Sequence, residues 1–301
     1  MKVLQIGVGK WGINHYRVWK KFIKAGKIDT LYLYDKEKNL SHLEDDNIYD
    51  LKTSVGDDFN LEDFDLQGID LVDIVTPPHT HYKIALKILK MSIGKNVKIF
   101  IEKPVTMNMH DLISLNSQTL NEIMVGHIFR YHTGIIEARN MIFNGDIGDV
   151  KMIYMNRLAT REYDERNDIL LELMIHDIDI LSYWGLLNQS NLKGSFSKGT
   201  GIIHGMNNGG VEFLITGSWD HPEKVRNIKV VGSEGTIEID MMDNTQIKYN
   251  NQVIPITYYQ PLMTELLHFV TQSKENKGYI SGIDKIMDVM SAVYRIQEHS
   301  R

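Results

Sequence analysis

Residues 2–22 read KVLQIGVGKWGINHYRVWKKF, and the reading of this stretch decides the fold. An apolar run of strand character meets Gly7-x-Gly9-x-x-Gly12, and a helical pattern opens directly after it. Strand, glycines and helix in that order form the context of a dinucleotide-binding turn. Gly7 permits a tight turn, Gly9 lets backbone N–H groups approach a pyrophosphate, and Gly12 lets the helix lie close on the strand. The helix N-terminus adds partial positive charge. Lys10 and Trp11 lie within the loop and are assigned to the cofactor with the glycines. A glycine-rich turn that holds no ligand explains the three glycines alone equally well.

Asp35 separates the two readings. It ends a second apolar run, TLYLYD, about 20 residues beyond the glycines. A carboxylate there accepts hydrogen bonds from the adenosine ribose hydroxyls and repels a 2′-phosphate. NAD is therefore expected over NADP, with Lys36 keeping NADP possible.

Length and composition set the outer bounds. A chain of 301 residues is near the upper size of a single core, so two domains are expected. Hydrophobic residues make up 43% and charged residues 24%, as in ordinary globular proteins. The formal net charge of −6, without a basic stripe, argues against nucleic acid. No apolar run is long enough for a membrane span. The opening MKVLQIGVG lacks a cationic lead and a small-residue cleavage site, which points to the cytoplasm. With no cysteine there is no disulfide, thiolate metal site or Cys nucleophile.

Two textures follow along the chain. Up to residue 125, continuous apolar strands alternate with helical patterns, as in a parallel sheet covered on both faces. The acidic segment from Ser41 to Phe64 gives no clear period. From residue 126 a helix, a long strand and a second helix lead into a series of strands punctuated by Gly and Asn, and two helices close the chain. The expected architecture is an α/β Rossmann domain at 1–125, followed at 126–301 by an α+β domain with a large, mostly antiparallel open sheet. An uncovered face of that sheet suits self-association as a homo-oligomer.

Three further segments carry chemistry. VTPPHTH, residues 75–81, places Thr76, Pro77 and His81 at the carboxyl end of a strand, where open sheets bind ligands. FIEKPVT, residues 100–106, does the same for Glu102 and Lys103, and an ammonium there can stabilise a developing alkoxide. Thr76, Pro77, His81, Glu102 and Lys103 are assigned to the cofactor side of the cleft, and a cis bond at Pro104 would aim the lysine inward. In LLELMIHDIDIL, residues 170–181, Glu172 and His176 are four apart and share a helix face. His176 can take a hydroxyl proton, with either Glu172 or Asp179 as its partner. Asp177 is expected to face solvent or a cap. Taken singly, each of these residues also fits a plain structural role.

The ordered set GVGKWG, VTPPHTHYKIAL, IEKPVT, VGHIFRYH and HDIDIL resembles the Gfo/Idh/MocA oxidoreductases. That resemblance implies a Rossmann domain, NAD(P)-dependent oxidation or reduction of sugars and related polyols, and a catalytic role for Lys103. Asn14 and the segment from Gly126 to Tyr131 are similar to the subgroup that oxidises the 3-hydroxyl of UDP-N-acetylglucosamine-type sugar nucleotides. Glu172 departs from the Asp expected in that family. A sugar nucleotide needs cations for its phosphates, and Arg157, Arg161 and Arg166 are candidates. Arg130, Arg161 and Asp179 are assigned to the substrate. An inositol or free-aldose dehydrogenase, or a silent cofactor-sensing regulator, are the alternatives. The His spacings match no familiar metal signature, and no metal is expected.

Overall fold

A computed structural model describes residues 1–37, 40–51, 66–118, 122–162, 168–187 and 191–299. The chain divides into two compact units. The first comprises Met1–Gly126 with Leu262–Lys285, and the second comprises His127–Pro261 with Ile286–Arg301.

The first unit is built on six parallel strands: β1 (Lys2–Ile6), β2 (Thr30–Tyr34), β3 (Ile48–Asp50), β4 (Leu71–Ile74), β5 (Lys98–Glu102) and β6 (Ile123–Gly126). Their order across the sheet is β3-β2-β1-β4-β5-β6. The order reverses beside β1, so the loops after β1 and β4 open at the topological switch point. Helix α1 (Gly12–Lys24) follows β1, α2 (Pro78–Met91) follows β4, and α3 (Met109–Ser117) follows β5. Strands β4, β5 and β6 are buried along their whole length, which explains their continuous apolar character.

The second unit holds α4 (Thr133–Asn144), β7 (Val150–Thr160) and a π-turn at Leu170–Met174 that runs into α5 (Ile175–Tyr183). Seven more strands follow: β8 (Asn191–Ser197), β9 (Thr200–Met206), β10 (Glu212–Ser218), β11 (Asp220–Gly232), β12 (Thr236–Asp240), β13 (Gln246–Tyr249) and β14 (Gln252–Pro255). They form one sheet with the order β14-β13-β12-β11-β7-β10-β9-β8. Only β7 and β10 run parallel; the other described pairs are antiparallel. Alternation along β7 buries Ile153, Met155 and Arg157, while Tyr154 on the opposite face stays exposed.

The closing helices depart from the expected boundary. Helix α6 (Pro261–Glu275) belongs to the first unit, although it follows the second sheet in sequence. Phe269 meets Phe100 of β5 edge to face at 5.7 Å, and the Lys274 ammonium donates to the Lys27 carbonyl. The apolar face of β5 needs a cover, and the chain returns to supply it. Helix α7 (Ile283–His299) continues into the second unit. The unclear segment 41–64 yields β3 and a short 3₁₀ turn at Ser41–Leu43; its remainder, 52–64, lies outside the described residues.

The glycines of the first loop are not interchangeable. Gly7 has φ of +96°, and a Cβ on Gly12 would stand 2.3 Å from the Gly7 carbonyl oxygen. A Cβ on Gly9 would meet nothing within 4 Å. Gly12→Ala should therefore destabilise the fold by about 1–3 kcal/mol, since backbone must move to admit the methyl. Gly9→Ala should stay within about 0.5 kcal/mol of the parent. Urea unfolding of both variants checks this; equal stabilities would contradict it.

Candidate active site

The glycine loop joins β1 to α1 and is anchored from below. Buried Gln5 donates through its amide to the carbonyls of Gly7 and Gly12, at 3.0 and 2.8 Å. Asp35, at the end of β2, accepts from the Val8 backbone N–H through Oδ2 at 2.9 Å and from the Glu37 N–H through Oδ1 at 3.0 Å. Among the described residues, no backbone carbonyl accepts from the N–H groups of Gly9, Lys10 or Trp11. Open space over Gly9, orphan donors beside a helix N-terminus and a carboxylate at the end of β2 fit the diphosphate and ribose of a dinucleotide.

Lys103 follows β5 directly, is half-buried, and is joined to Pro104 by a cis peptide bond. Its neighbours are held on both sides. The Glu102 carboxylate accepts from the Trp11 indole N–H at 3.0 Å, meets His15 Nε2 at 3.1 Å, and accepts from the Lys103 N–H at 3.2 Å. The Pro104 carbonyl meets His81 Nδ1 at 2.8 Å, and His81 Nε2 faces the Thr76 carbonyl at 2.7 Å. Burial, only partly offset by these two carbonyls, pushes the His81 pKa below the usual imidazole range. Thr76 and Pro77 stand at the carboxyl end of β4, where the Thr76 hydroxyl bonds that of Thr80 at 2.7 Å.

Two cofactor assignments change accordingly. Glu102 and His81 are buried, and their polar atoms are engaged by the protein. They brace the strand ends around Lys103 and Thr76. A lone sequence position cannot show that both ring nitrogens of a histidine are already used.

Beneath the loop lies a group that the motifs did not flag. His15, on the buried face of α1, has Nδ1 at 3.0 Å from Asp73 Oδ2 and Nε2 at 3.1 Å from Glu102 Oε1. The Trp19 indole also donates to Asp73 Oδ2, at 2.7 Å. Burial alone would lower the His15 pKa, but Asp73 and Glu102 outweigh it and raise it to about 10. Burial would raise the Glu102 carboxyl, but His15 holds it below the usual range.

In the second unit, His176 is half-buried at the start of α5, and its ring meets Phe129 edge to face at 4.9 Å. The Glu172 carboxylate, in the π-turn, lies 3.7 Å from the Arg161 guanidinium. Arg161 also stands over the Trp219 ring at 5.0 Å and is exposed. Arg130 and Asp179, assigned to the substrate in the sequence, are both buried. They are buried partners of one another, with Arg130 Nε and one terminal nitrogen 2.9 and 2.6 Å from Asp179 Oδ1. His127 Nδ1 adds a contact at 3.3 Å. Burial would raise the Asp179 carboxyl, but Arg130 and His127 hold it below the usual range. Asp179 is thus committed elsewhere than to His176.

Asp177 is also corrected. It is buried and forms a two-pronged pair with Arg157, at 2.7 and 2.8 Å. Arg157 is thereby removed from the phosphate candidates, because the alternation of β7 turns it to the covered face. Its guanidinium lies over Phe129 at 4.5 Å. Arg166 lies outside the described residues. Among those residues, no cluster of His, Asp and Glu could hold a metal ion, and no helix is long and apolar enough to cross a membrane.

Residues 1–121 match the Gfo/Idh/MocA oxidoreductase family, NAD-binding Rossmann fold. This N-terminal stretch is thus similar to that family's NAD-binding domain. UDP-N-acetylglucosamine 3-dehydrogenase from Acidithiobacillus ferrooxidans is 32% identical over 121 residues, 38% of this chain and 36% of that protein. A scyllo-inositol 2-dehydrogenase (NAD(+)) from Bacillus subtilis is 29% identical over 126 residues, 38% of this chain and 35% of that protein. The matched stretch thus spans about a third of either relative. The fold agrees along the full length. A solved structure of the Acidithiobacillus ferrooxidans UDP-N-acetylglucosamine 3-dehydrogenase GnnA covers 100% of this chain and 97% of its own, with a TM-score of 0.82 at 19% identity.

The His15 clamp predicts a pH dependence of stability. Its pKa of about 10 in the fold stands above the ordinary 6.5, so the folded state holds the proton more tightly. This contribution is complete below about pH 6.5 and is lost progressively as pH rises towards 10. Urea midpoints of the parent and His15→Gln, compared from pH 6 to 10, should converge with rising pH. A constant gap would contradict the charged clamp.

Proposed function

We propose that the protein is an NAD-dependent oxidoreductase that moves a hydride between nicotinamide and a sugar or sugar-nucleotide carbon. The observation that carries this reading is the open, amide-lined glycine loop with Asp35 at the end of β2 and Lys103 at the end of β5. The N-terminal family match supports it. In the oxidative direction a substrate CH–OH loses a hydride from carbon and a proton from oxygen. The nicotinamide, when bound, accepts the hydride. His176 takes the hydroxyl proton. The Lys103 ammonium stabilises the negative charge that builds on that oxygen. Asp35 favours NAD, because its carboxylate opposes a 2′-phosphate at short range.

The substrate reading is the 3-hydroxyl of a UDP-N-acetylhexosamine. A relative and a similar structure named for that reaction support it, as does a cation on the substrate side. Arg161 lies exposed against the Glu172 carboxylate and the face of Trp219, and it is the cation assigned to the substrate's phosphates. The inositol-dehydrogenase relative keeps free polyols as the second reading. The less covered face of the second sheet, with Tyr154 exposed, is proposed for a homodimer or homotetramer, which light scattering reports.

NADH formation across UDP-sugars, free aldoses and inositols tests the function. A UDP-N-acetylhexosamine should be the best substrate; an inositol in its place would move the assignment to the second reading. With the best substrate, Lys103→Met and His176→Ala should each lower turnover by about 10²-fold or more. NAD binding should remain within about threefold. Normal turnover in either variant removes that residue from the mechanism.

A further inference from the structure

Arg157 has a neighbour of like charge. Arg226 of β11 stands in register with it on the adjacent strand, so the two side chains share the covered face of the second sheet. Both oxygens of Asp177 are taken by Arg157. Arg226 is half-buried, and its Nε is shut away from solvent without an acceptor. Among the described residues, no hydrogen bond or ion pair reaches its side chain. Burial and the Arg157 charge push its pKa down, and Asp177 opposes them only in part. A guanidinium nevertheless stays charged in a protein. On the other side, its neighbour in the sheet is Met241, whose N–H donates to the Arg226 carbonyl at 2.8 Å. Nearby acids do not serve it. Asp240 is in register with Asn227 and so lies on the opposite face, and Asp243 accepts from Thr245 and Gln246.

We propose that Arg226 is a substrate-binding residue that receives an oxyanion of the substrate, a phosphate or a carboxylate, on the face of the second sheet that carries Arg157. The proposal rests on the reading of the second unit as the one that holds the sugar. A charge partly out of water costs free energy unless a partner is supplied. The fold supplies none here, because the one carboxylate whose charge reaches Arg226 is spent on Arg157. The other residues of β11 on this face, Ile228 and Val230, are apolar and buried, so packing alone does not call for a cation. The missing partner is then a ligand's. A guanidinium fork matches two oxygens of one phosphate or carboxylate, which a neutral polyol does not offer. The place also suits a substrate of His176. Phe129, which the His176 ring meets, lies over Arg157, and Arg226 is one strand away, about 4.8 Å along the sheet. An anion held there would fix the sugar beside the histidine within the same unit. Arg161 already has the Glu172 carboxylate at 3.7 Å, whereas Arg226 has no acid to give up.

Calorimetry on the full-length protein with NAD in excess reads this without turnover. The probes are UDP-N-acetylglucosamine, glucuronate and, as the neutral control, myo-inositol. Arg226→Met should weaken at least one of the two anions by about tenfold or more. Arg226→Lys should lose less, because the ammonium keeps the charge but not the fork. Any binding of myo-inositol should be the same in parent and variants. A loss confined to UDP-N-acetylglucosamine identifies the oxyanion as a phosphate, and one confined to glucuronate identifies it as a carboxylate. Unchanged anion affinities in Arg226→Met, an equal loss for the neutral probe, or no binding of either anion to the parent would overturn the proposal. Stability gives a second readout that needs no ligand. Removing an unmatched charge should leave the urea midpoint of the free protein at or above the parent's. A lower midpoint assigns Arg226 to the fold and defeats the proposal. Failure of the oxidoreductase reading shows separately, as no NADH formation from any sugar while the Arg226-dependent anion binding persists.

Discussion

A buried imidazole between two carboxylates is the contact on which the first unit's site depends. Taking charges out of water costs several kcal/mol per ion, and the cost is offset only when partners and hydrogen bonds are complete. Here Asp73 lies in the middle of a buried strand, Glu102 ends the next strand, and His15 comes from the helix that follows the glycine loop. The clamp therefore joins three elements with one side chain. It also determines what the loop can do. With Glu102 engaged by His15 and Trp11, and the Pro104 carbonyl by His81, the backbone that flanks Lys103 is held on both sides.

The second unit uses the same physics with arginine. Helix α5 carries Asp177 and Asp179 within one turn of His176, and each is matched by a buried guanidinium. Arg157 comes from β7, and Arg130 from the turn after β6. Arg157 also lies over the Phe129 ring that meets His176 edge to face. A planar fork suits this work, since it satisfies both carboxylate oxygens without a flexible ammonium. Groups that looked like substrate contacts in the sequence thus hold the histidine's helix in place. Arg161 and Glu172 are left as the charged pair on the exposed side.

Much of this was legible beforehand, and the rest had identifiable obstacles. The strand, the three glycines and Asp35 could be read because their roles depend on local backbone geometry. The strands of the second sheet could be read from their turn residues. The pairings of Asp177 and Asp179 could not, because their partners lie 20 and 49 residues away on other elements. The clamp, by contrast, leaves a signal in the sequence. A carboxylate at position 73, inside the otherwise apolar run LVDIV (71–75), requires a buried partner, and His15 on the same helix face as Trp19 supplies it. The return of α6 to the first unit was hidden for another reason. Sequence order places the helix after the second sheet, and nothing local marks the face of β5 that it covers.

As proposed, the glycine loop takes a dinucleotide and Asp35 reads its ribose. Calorimetric titration of NAD and NADP into the parent and Asp35→Asn tests this, because Asn keeps an acceptor for the Val8 N–H while removing the charge and the acceptor for the exposed Glu37 N–H. One NAD site per chain is expected, with NADP weaker by about tenfold or more and a clear narrowing of that gap in the variant. Absence of NAD binding, equal affinity for both dinucleotides, or a gap unchanged by the substitution would contradict it.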